Sequence, residues 1–497
     1  MSNPIKKKII YFCFSIILII FSQLFLKELP VQIPNISRVL FSSLALMLFW
    51  CFARFNVQNI YERIGILIIL VFGISSAVLK PVQVGLDEEA HFTSTLKVSV
   101  SGIFQYQKYN LDDYDRVFKY DFFRNKEVFS KSGNFKDEKH GENSKSGKII
   151  SFNNPAYIPS AIGWKIGELI SNKIYISYFL GRIFNVIAYA LLILLAYRIC
   201  RKNHEVLFVF TSFPSYLYFV SGYHYDSIYF GLSAIMFSLI CKYFSEKKKI
   251  SNKEIASYII SSFIFTFVKF PFVLLGVLTF FIPNDKFQSR KQKNCTRLFS
   301  SLQLFVSLLY YLNFNTNKQN LDVEIPTIGY FIKHPLPIVR TLLDIPDVFE
   351  FNIRYTQIFA KSYSATSMMM SEILLIVLMI VVTYRLKISI TNKFKTIFFV
   401  FSVVISLAIV YAITTDPRVY KMGMTYVPGV QGRYFYLFGF FIPFYIDNFV
   451  YKIFGNSTSS EVNIAEKLEY TKKFILSSLI FLNILNLGIT LYTMVPY

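Results

Sequence analysis

Three carboxylates and an imidazole stand within five residues at Asp87-Glu88-Glu89-Ala90-His91, with Phe92 following. Carboxylates this close raise one another's pKa unless a cation, a metal or water offsets them, which suits a general base or a metal site. At the start of a helix the same residues would instead complement the helix dipole and act as a cap. Spacing alone leaves both readings open. A second cluster is Val430-Gln431-Gly432-Arg433-Tyr434-Phe435. Arg433 opens an apolar run, where an unpaired cation is costly, so it requires an anionic partner. Its planar fork matches phosphate with two parallel hydrogen bonds, and Gly432 allows backbone to approach a ligand. The plainer alternative is an arginine that snorkels to the membrane surface.

Lys269 interrupts an apolar stretch at 261–282, and Pro271 breaks the helix two residues later. A lysine at a broken intramembrane helix marks a substrate path, whereas a lysine at the tip of a hairpin needs no function. In His224-Tyr225-Asp226 the aspartate can cap the helix that follows. His91 and His224 are candidate metal ligands, or histidines held by ordinary hydrogen bonds. Tyr157, in the turn Asn153-Asn154-Pro155-Ala156-Tyr157-Ile158-Pro159, can stack on a sugar or a lipid head group. No cofactor is demanded. A divalent cation, Mg or Mn, would find its ligands among Asp87, Glu88 and His91. The chain has no GxxxxGK[ST], GxGxxG or HExxH motif. Its five cysteines form no CxxC pair and read as buried thiols.

The elements that must position these residues are membrane spans. Apolar runs near the length needed to cross roughly 30 Å of hydrocarbon recur along the chain. They lie at 9–26, 39–52, 64–79, 175–197, 206–220, 227–243, 255–268, 272–282, 298–312, 373–384, 397–413, 434–450 and 474–493. This predicts an all-α polytopic membrane protein of about 13 transmembrane helices. With Lys6–Lys8 cytoplasmic, every later basic cluster falls on the cytoplasmic side, and two long loops, 80–173 and 313–371, lie outside. The first has a charged, solvated middle at 112–148, then an interfacial helix at 156–170 with Ile158, Ile162, Trp164, Ile166 and Ile170. The second carries a mixed helical stretch after His334-Pro335-Leu336-Pro337. Residues 1–63 form an N-terminal two-helix membrane hairpin, and 64–497 the main transmembrane module.

Composition agrees. Of 497 residues, 54% are hydrophobic and only 16% charged, and the mean hydropathy is +0.44. A soluble chain has about 25% charged residues. The net charge of +22 sits mostly on the cytoplasmic side, as insertion requires, so it is no nucleic-acid footprint.

The acidic DE-x-x-HF motif, Asn154-Pro155-Ala156-Tyr157, Ser212-Phe213-Pro214 before His224-Tyr225-Asp226-Ser227, Lys269, and Gly429-Val430-Gln431-Gly432-Arg433-Tyr434-Phe435 occur in a recognisable order. Over about 64–493 the chain resembles the DUF2142 family of bacterial membrane proteins, which is similar to the GT-C glycosyltransferase superfamily. Glu89 stands where that family commonly has proline. The resemblance implies a GT-C-like fold and a transferase of the cytoplasmic membrane, N-terminus inside and active site outside. It implies transfer of a sugar, with inversion, from a polyprenyl-phosphate-linked donor to a cell-surface glycan or lipid-linked acceptor. By the same resemblance Asp87 is the general base and Glu88 binds acceptor or metal. Arg433, with Lys269, meets the departing phosphate, and His91 and Asp226 orient the acceptor or Asp87. Gln431 and Tyr157 join them as substrate-binding residues. Two rival readings are a glycolipid transporter or flippase, and a non-catalytic component of cell-envelope polysaccharide assembly.

Overall fold

The computed structural model describes residues 59–493, apart from 81, 84, 121–134, 200–201, 203, 246–248, 315–324, 349–364, 387–389 and 455–460. The two expected N-terminal spans therefore lie outside the described residues. The described chain is mostly helix, in this order: α1 Ile60–Leu79, α2 Glu88–Ser101, β1 Phe104–Leu111, α3 Asp112–Phe118, β2 Asn143–Phe152, α4 Ile158–Ile170, α5 Ile174–Ile199, α6 His204–Thr211, α7 Pro214–Val220, α8 Asp226–Ser245, α9 Asn252–Val268, α10 Arg290–Phe314, α11 Ile328–Lys333, α12 Leu336–Leu343, α13 Ala365–Tyr384, α14 Asn392–Thr414, α15 Tyr436–Gly439, α16 Ile442–Phe454 and α17 Glu461–Thr493. Short 3-10 segments occupy Pro155–Tyr157, Phe270–Phe281 and Gly432–Phe435.

Among the described residues four helices are long and apolar enough to cross a membrane, in α1, α5, α8 and α14. They differ in what covers them. The span in α8 is 83% buried against protein and that in α14 only 28%, so α8 is central and α14 presents a broad apolar face outward. Phe399, Val400, Val403, Val404 and Leu407 on α14 are exposed, as lipid-facing residues are.

Several expected spans are broken rather than continuous. The run 206–220 is two helices, because Pro214 opens α7 after Phe213 turns extended (ψ 138°). A break at this depth frees carbonyls that water does not reach, and side chains take them up. Tyr436 Oη donates to the Phe210 carbonyl at 3.1 Å, Tyr189 Oη to Thr211 at 3.0 Å and Asn483 Nδ2 to Ser212 at 3.0 Å. After Lys269, the expected span 272–282 is the 3-10 segment Phe270–Phe281 with Pro271 near its start, and Tyr258 Oη donates to the Leu275 carbonyl within it. The expected span 434–450 is likewise divided between Gly432–Phe435, α15 and α16.

Described residues of the segment 80–173 pack together against the bundle. Phe92, Leu96, Val117, Phe135, Trp164, Tyr178 and Tyr223 share a buried cluster, with Phe92 edge-on to Trp164, Tyr178 and Tyr223. The expected interfacial helix is α4, with Ile162, Leu169 and Ile170 exposed and Trp164 buried. Gly163 and Gly167 let it lie against α5: a Cβ at either would overlap backbone, at Leu180 and Ser177 respectively. The described residues on either side of the charged middle form a two-stranded ribbon. β1 and β2 pair antiparallel, Phe104 opposite Phe152 and Leu111 opposite Asn143, as the only sheet among the described residues. The ribbon is largely exposed, so its strands lack the apolar face that makes a strand readable.

Candidate functional site

The three carboxylates of the acidic motif go three ways. Glu88 opens α2 and is wholly enclosed. Its Oε1 accepts from Arg182 Nε at 2.8 Å and from the Tyr223 amide at 3.0 Å. Its Oε2 accepts from Arg182 Nη2 at 2.8 Å and the Gly85 amide at 2.9 Å. Arg182 Nη1 donates to the Lys80 carbonyl at 2.7 Å, and Lys80 Nζ to the Tyr218 carbonyl at 2.8 Å. Glu89 accepts from Tyr114 Oη of α3 at 2.5 Å. Asp87 alone is half-exposed, at 51% of its side chain.

The mutual repulsion expected of these acids is therefore absent at Glu88. Burial alone would raise its pKa, but the Arg182 guanidinium and Lys80 ammonium outweigh that and hold the carboxyl below the usual range. Burial, aided by Arg182 and opposed by Glu88, brings the Lys80 ammonium down to about 7. The expectation that Glu88 binds acceptor or metal meets a carboxylate whose two oxygens each already accept two hydrogen bonds.

Asp87 sits at the N-cap of α2 yet makes no side-chain cap hydrogen bond. Its backbone is left-handed (φ 56°, ψ 17°), a region Asp enters more readily than most residues. Glu88 and Glu89 do stand in the first turn of α2, where acids complement the helix dipole, but the Asp87 carboxylate makes no cap bond and turns instead to residues late in the chain. Its Oδ2 accepts from Arg433 Nη2 at 2.8 Å and Gln431 Nε2 at 3.1 Å. Arg433 is 2% exposed. Its Nη1 donates to Asp226 Oδ2 and to His224 Nδ1, both at 3.1 Å. The anion that Arg433 requires is thus supplied from within, by Asp87 and Asp226. Asp226 lies fully buried in the first turn of α8, bound to Arg433 through one oxygen rather than capping its helix.

His91 reaches Tyr157 Oη through Nδ1 at 2.5 Å, and its ring lies 4.5 Å from that of His224. Burial, reinforced by Arg433, lowers His91 to about 3, and burial with the His91 neighbour pushes His224 well below its usual value. Both imidazoles are neutral at physiological pH. Tyr157 is buried, so its part is to hold His91 rather than to offer a ring to solvent. Lys269 closes the group: its Nζ lies 3.4 Å from the Tyr434 ring centre, 4.8 Å from Tyr229 and 5.5 Å from Tyr225. Buried atoms here without a hydrogen-bond partner among the described residues include His91 Nε2, His224 Nε2, Asp226 Oδ1, Lys269 Nζ and Gln431 Oε1.

The structure thus gathers Asp87, His91, Asp226, Lys269, Gln431 and Arg433 in one place, sets Tyr157 behind His91, and draws Glu88 into a separate buried network. Sequence reasoning overlooked Arg182, Lys80 and the contacts of His224. Arg182 had a signal, being the single charged residue in the apolar run 175–197. A cation at Asp87, Glu88 and His91 is not supported, since Glu88 is saturated and Arg433 occupies Oδ2 of Asp87. Among the described residues the close set of potential ligands is Asp113, His140 and Glu168. Its atoms are already in use: Asp113 meets His140 Nδ1 at 3.0 Å, His140 Nε2 meets Ser177 Oγ at 2.9 Å, and Trp164 Nε1 donates to Glu168 at 2.6 Å. That set ties the 80–173 segment to α5.

Apolar helices around buried, mutually paired charges define a multi-pass membrane protein. The family described as "Predicted membrane protein (DUF2142)" matches residues 70–439, and the chain belongs to it. The match begins within α1 and ends with α15, so it contains every residue of the site. No curated protein and no solved structure matches the chain.

Proposed function

We propose that the protein is a membrane glycosyltransferase of the GT-C type. It transfers a sugar from a polyprenyl-phosphate-linked donor to a cell-surface glycan or lipid-linked acceptor, on the outer face of the bacterial cytoplasmic membrane. The observation that carries this reading is Asp87. It is a half-exposed carboxylate in a left-handed turn, fixed through Oδ2 by a buried arginine and a glutamine. A base must be held rigidly yet reach its proton, and this arrangement meets both needs.

In the step proposed, Asp87 Oδ1 takes the proton of an acceptor hydroxyl as that oxygen attacks the anomeric carbon. The bond from carbon to phosphate oxygen breaks, and its electron pair leaves on the phosphate. Arg433 already serves two carboxylates, so its role is to hold Asp87 and Asp226. Lys269 is the better placed donor for the phosphate, since its Nζ has no hydrogen-bond partner among the described residues. The unpaired atoms of His91, His224 and Asp226 are the kind of donors and acceptors that a ligand rich in hydroxyls satisfies. No step is routed through a metal. The broken segments α6–α7 and Phe270–Phe281 favour a second reading, a glycolipid flippase, because discontinuous helices often form transport sites.

The test is Asp87→Asn in the native host, with analysis of the surface polysaccharide. Loss of one sugar with normal protein level and membrane insertion is expected. An unchanged polymer would overturn the assignment of Asp87. A flippase would give donor on the outer face without a new glycosidic bond.

A further inference from the structure

A groove of ≈ 590 Å³ lies between the N-terminal halves of α9 and α10. It is remote from the site: α9 has 17 residues, from Asn252 in the groove wall to Val268 beside Lys269, a rise of about 25 Å. The two features therefore lie near opposite ends of the bundle. The groove changes character along its length. At one end stand Gln288, Ser289 and Lys291, and at the other Ile255, Ile259 and Phe299.

The only charge in its lining is positive. Lys291 lines the groove, no carboxylate does, and the exposed Lys253 and Arg290 neighbour lining residues in sequence. The nearby Glu254 is committed to Lys242 and to the Ser251 capping box. Both helices also point their N-termini to this end, which favours an anion. Beyond the apolar end, exposed Leu298, Phe299, Leu302 and Phe305 continue along α10 as a lipid-facing surface. The polar end, the apolar floor and this outward continuation match a head group, an upper acyl chain and the surrounding bilayer in turn.

We propose that this groove binds one anionic phospholipid, its phosphate at Lys291 and Ser289 and an acyl chain along Ile255, Ile259 and Phe299. Basic recesses between helices on one face of a membrane are suited to such head groups. The site is independent of the proposed transferase chemistry.

Cys295, a free and exposed thiol in the groove wall, provides the test. Full-length protein retaining Cys295, with the other four cysteines replaced by Ala, is placed in nanodiscs of phosphatidylcholine with increasing phosphatidylglycerol. Labelling by uncharged N-ethylmaleimide is followed. Phosphatidylglycerol should slow the reaction at Cys295 but not at a control cysteine introduced by Leu302→Cys in a Cys295→Ala background. Lys291→Gln should raise the half-protecting fraction about fivefold, the weight of one lysine at an anionic surface. A labelling rate indifferent to phosphatidylglycerol would overturn the proposal. So would equal slowing at the control position, or superimposable curves with and without Lys291.

Discussion

Glu88→Gln is the substitution that best tests the division of labour within the acidic motif. Gln keeps the size and shape of Glu. However, each Glu88 oxygen meets two donors, Arg182 Nε and the Tyr223 amide at one, Arg182 Nη2 and the Gly85 amide at the other. Whichever way the Gln amide turns, its NH2 faces two N–H groups, and Arg182 and Lys80 lose their counter-charge. Breaking a buried pair from one side costs about 3–5 kcal/mol. At roughly 2 °C per kcal/mol for a large domain, the apparent Tm should fall by roughly 6–10 °C. Thermal unfolding of the detergent-solubilised protein, read by loss of monodisperse protein, measures this. Asp87→Asn is the internal comparison. Asp87 is half-exposed, Asn tolerates the left-handed turn, and Arg433 keeps Asp226, so its cost should be about 1 kcal/mol or less. The double substitution Glu88→Met with Arg182→Met should recover part of the Glu88→Gln loss, since it removes both charges. Equal and small shifts for Glu88→Gln and Asp87→Asn would refute the separation of a structural from a functional carboxylate.

Other outcomes rest on the same geometry. Lys80 titrates at about 7 in the fold against 10.5 when free, so between those values the unfolded chain binds the extra proton. Stability should therefore rise with pH from 7 toward 10, by at most about 1.4 kcal/mol per pH unit, and Lys80→Met should flatten that slope; identical slopes would argue against it. Gly163→Val, directed into the Leu180 backbone, should destabilise by about 1–3 kcal/mol, while Ile162→Ala on the exposed face of α4 should be close to neutral, as Tm values will show. Tyr436→Phe, which leaves the Phe210 carbonyl of the broken α6–α7 segment without its donor, should cost about 1–3 kcal/mol in the same assay, and a neutral result would mean another group takes that carbonyl.

Much of the architecture is legible in the sequence because helix formation and membrane insertion are read locally. A run such as 175–197 states its own length and hydropathy, and α5 covers it. Breaks are less legible. Pro214 signals one, yet whether 206–220 is a kinked span or two helices depends on Tyr189, Tyr436 and Asn483 arriving to bond the freed carbonyls. The ribbon β1–β2 was hidden for a different reason, since an exposed two-stranded pair needs no apolar alternation. In the site, the residue types were visible and their pairing was not. Arg433 demanded an anion from its position alone, but nothing local says that the anion is Asp87, 346 residues away, with Asp226 beside it.

By itself, then, the sequence determined the class of protein, the family through its ordered motifs, and the short list of residues able to do chemistry. All of these depend on composition, periodicity and motif order. Only the tertiary structure decided which of three adjacent carboxylates is presented and which is consumed. Glu88 meets Arg182 across 94 residues and Asp87 meets Arg433 across the whole bundle. Away from water a charge is governed by whichever counter-charge the packing delivers, and neighbours in sequence place only weak limits on that choice.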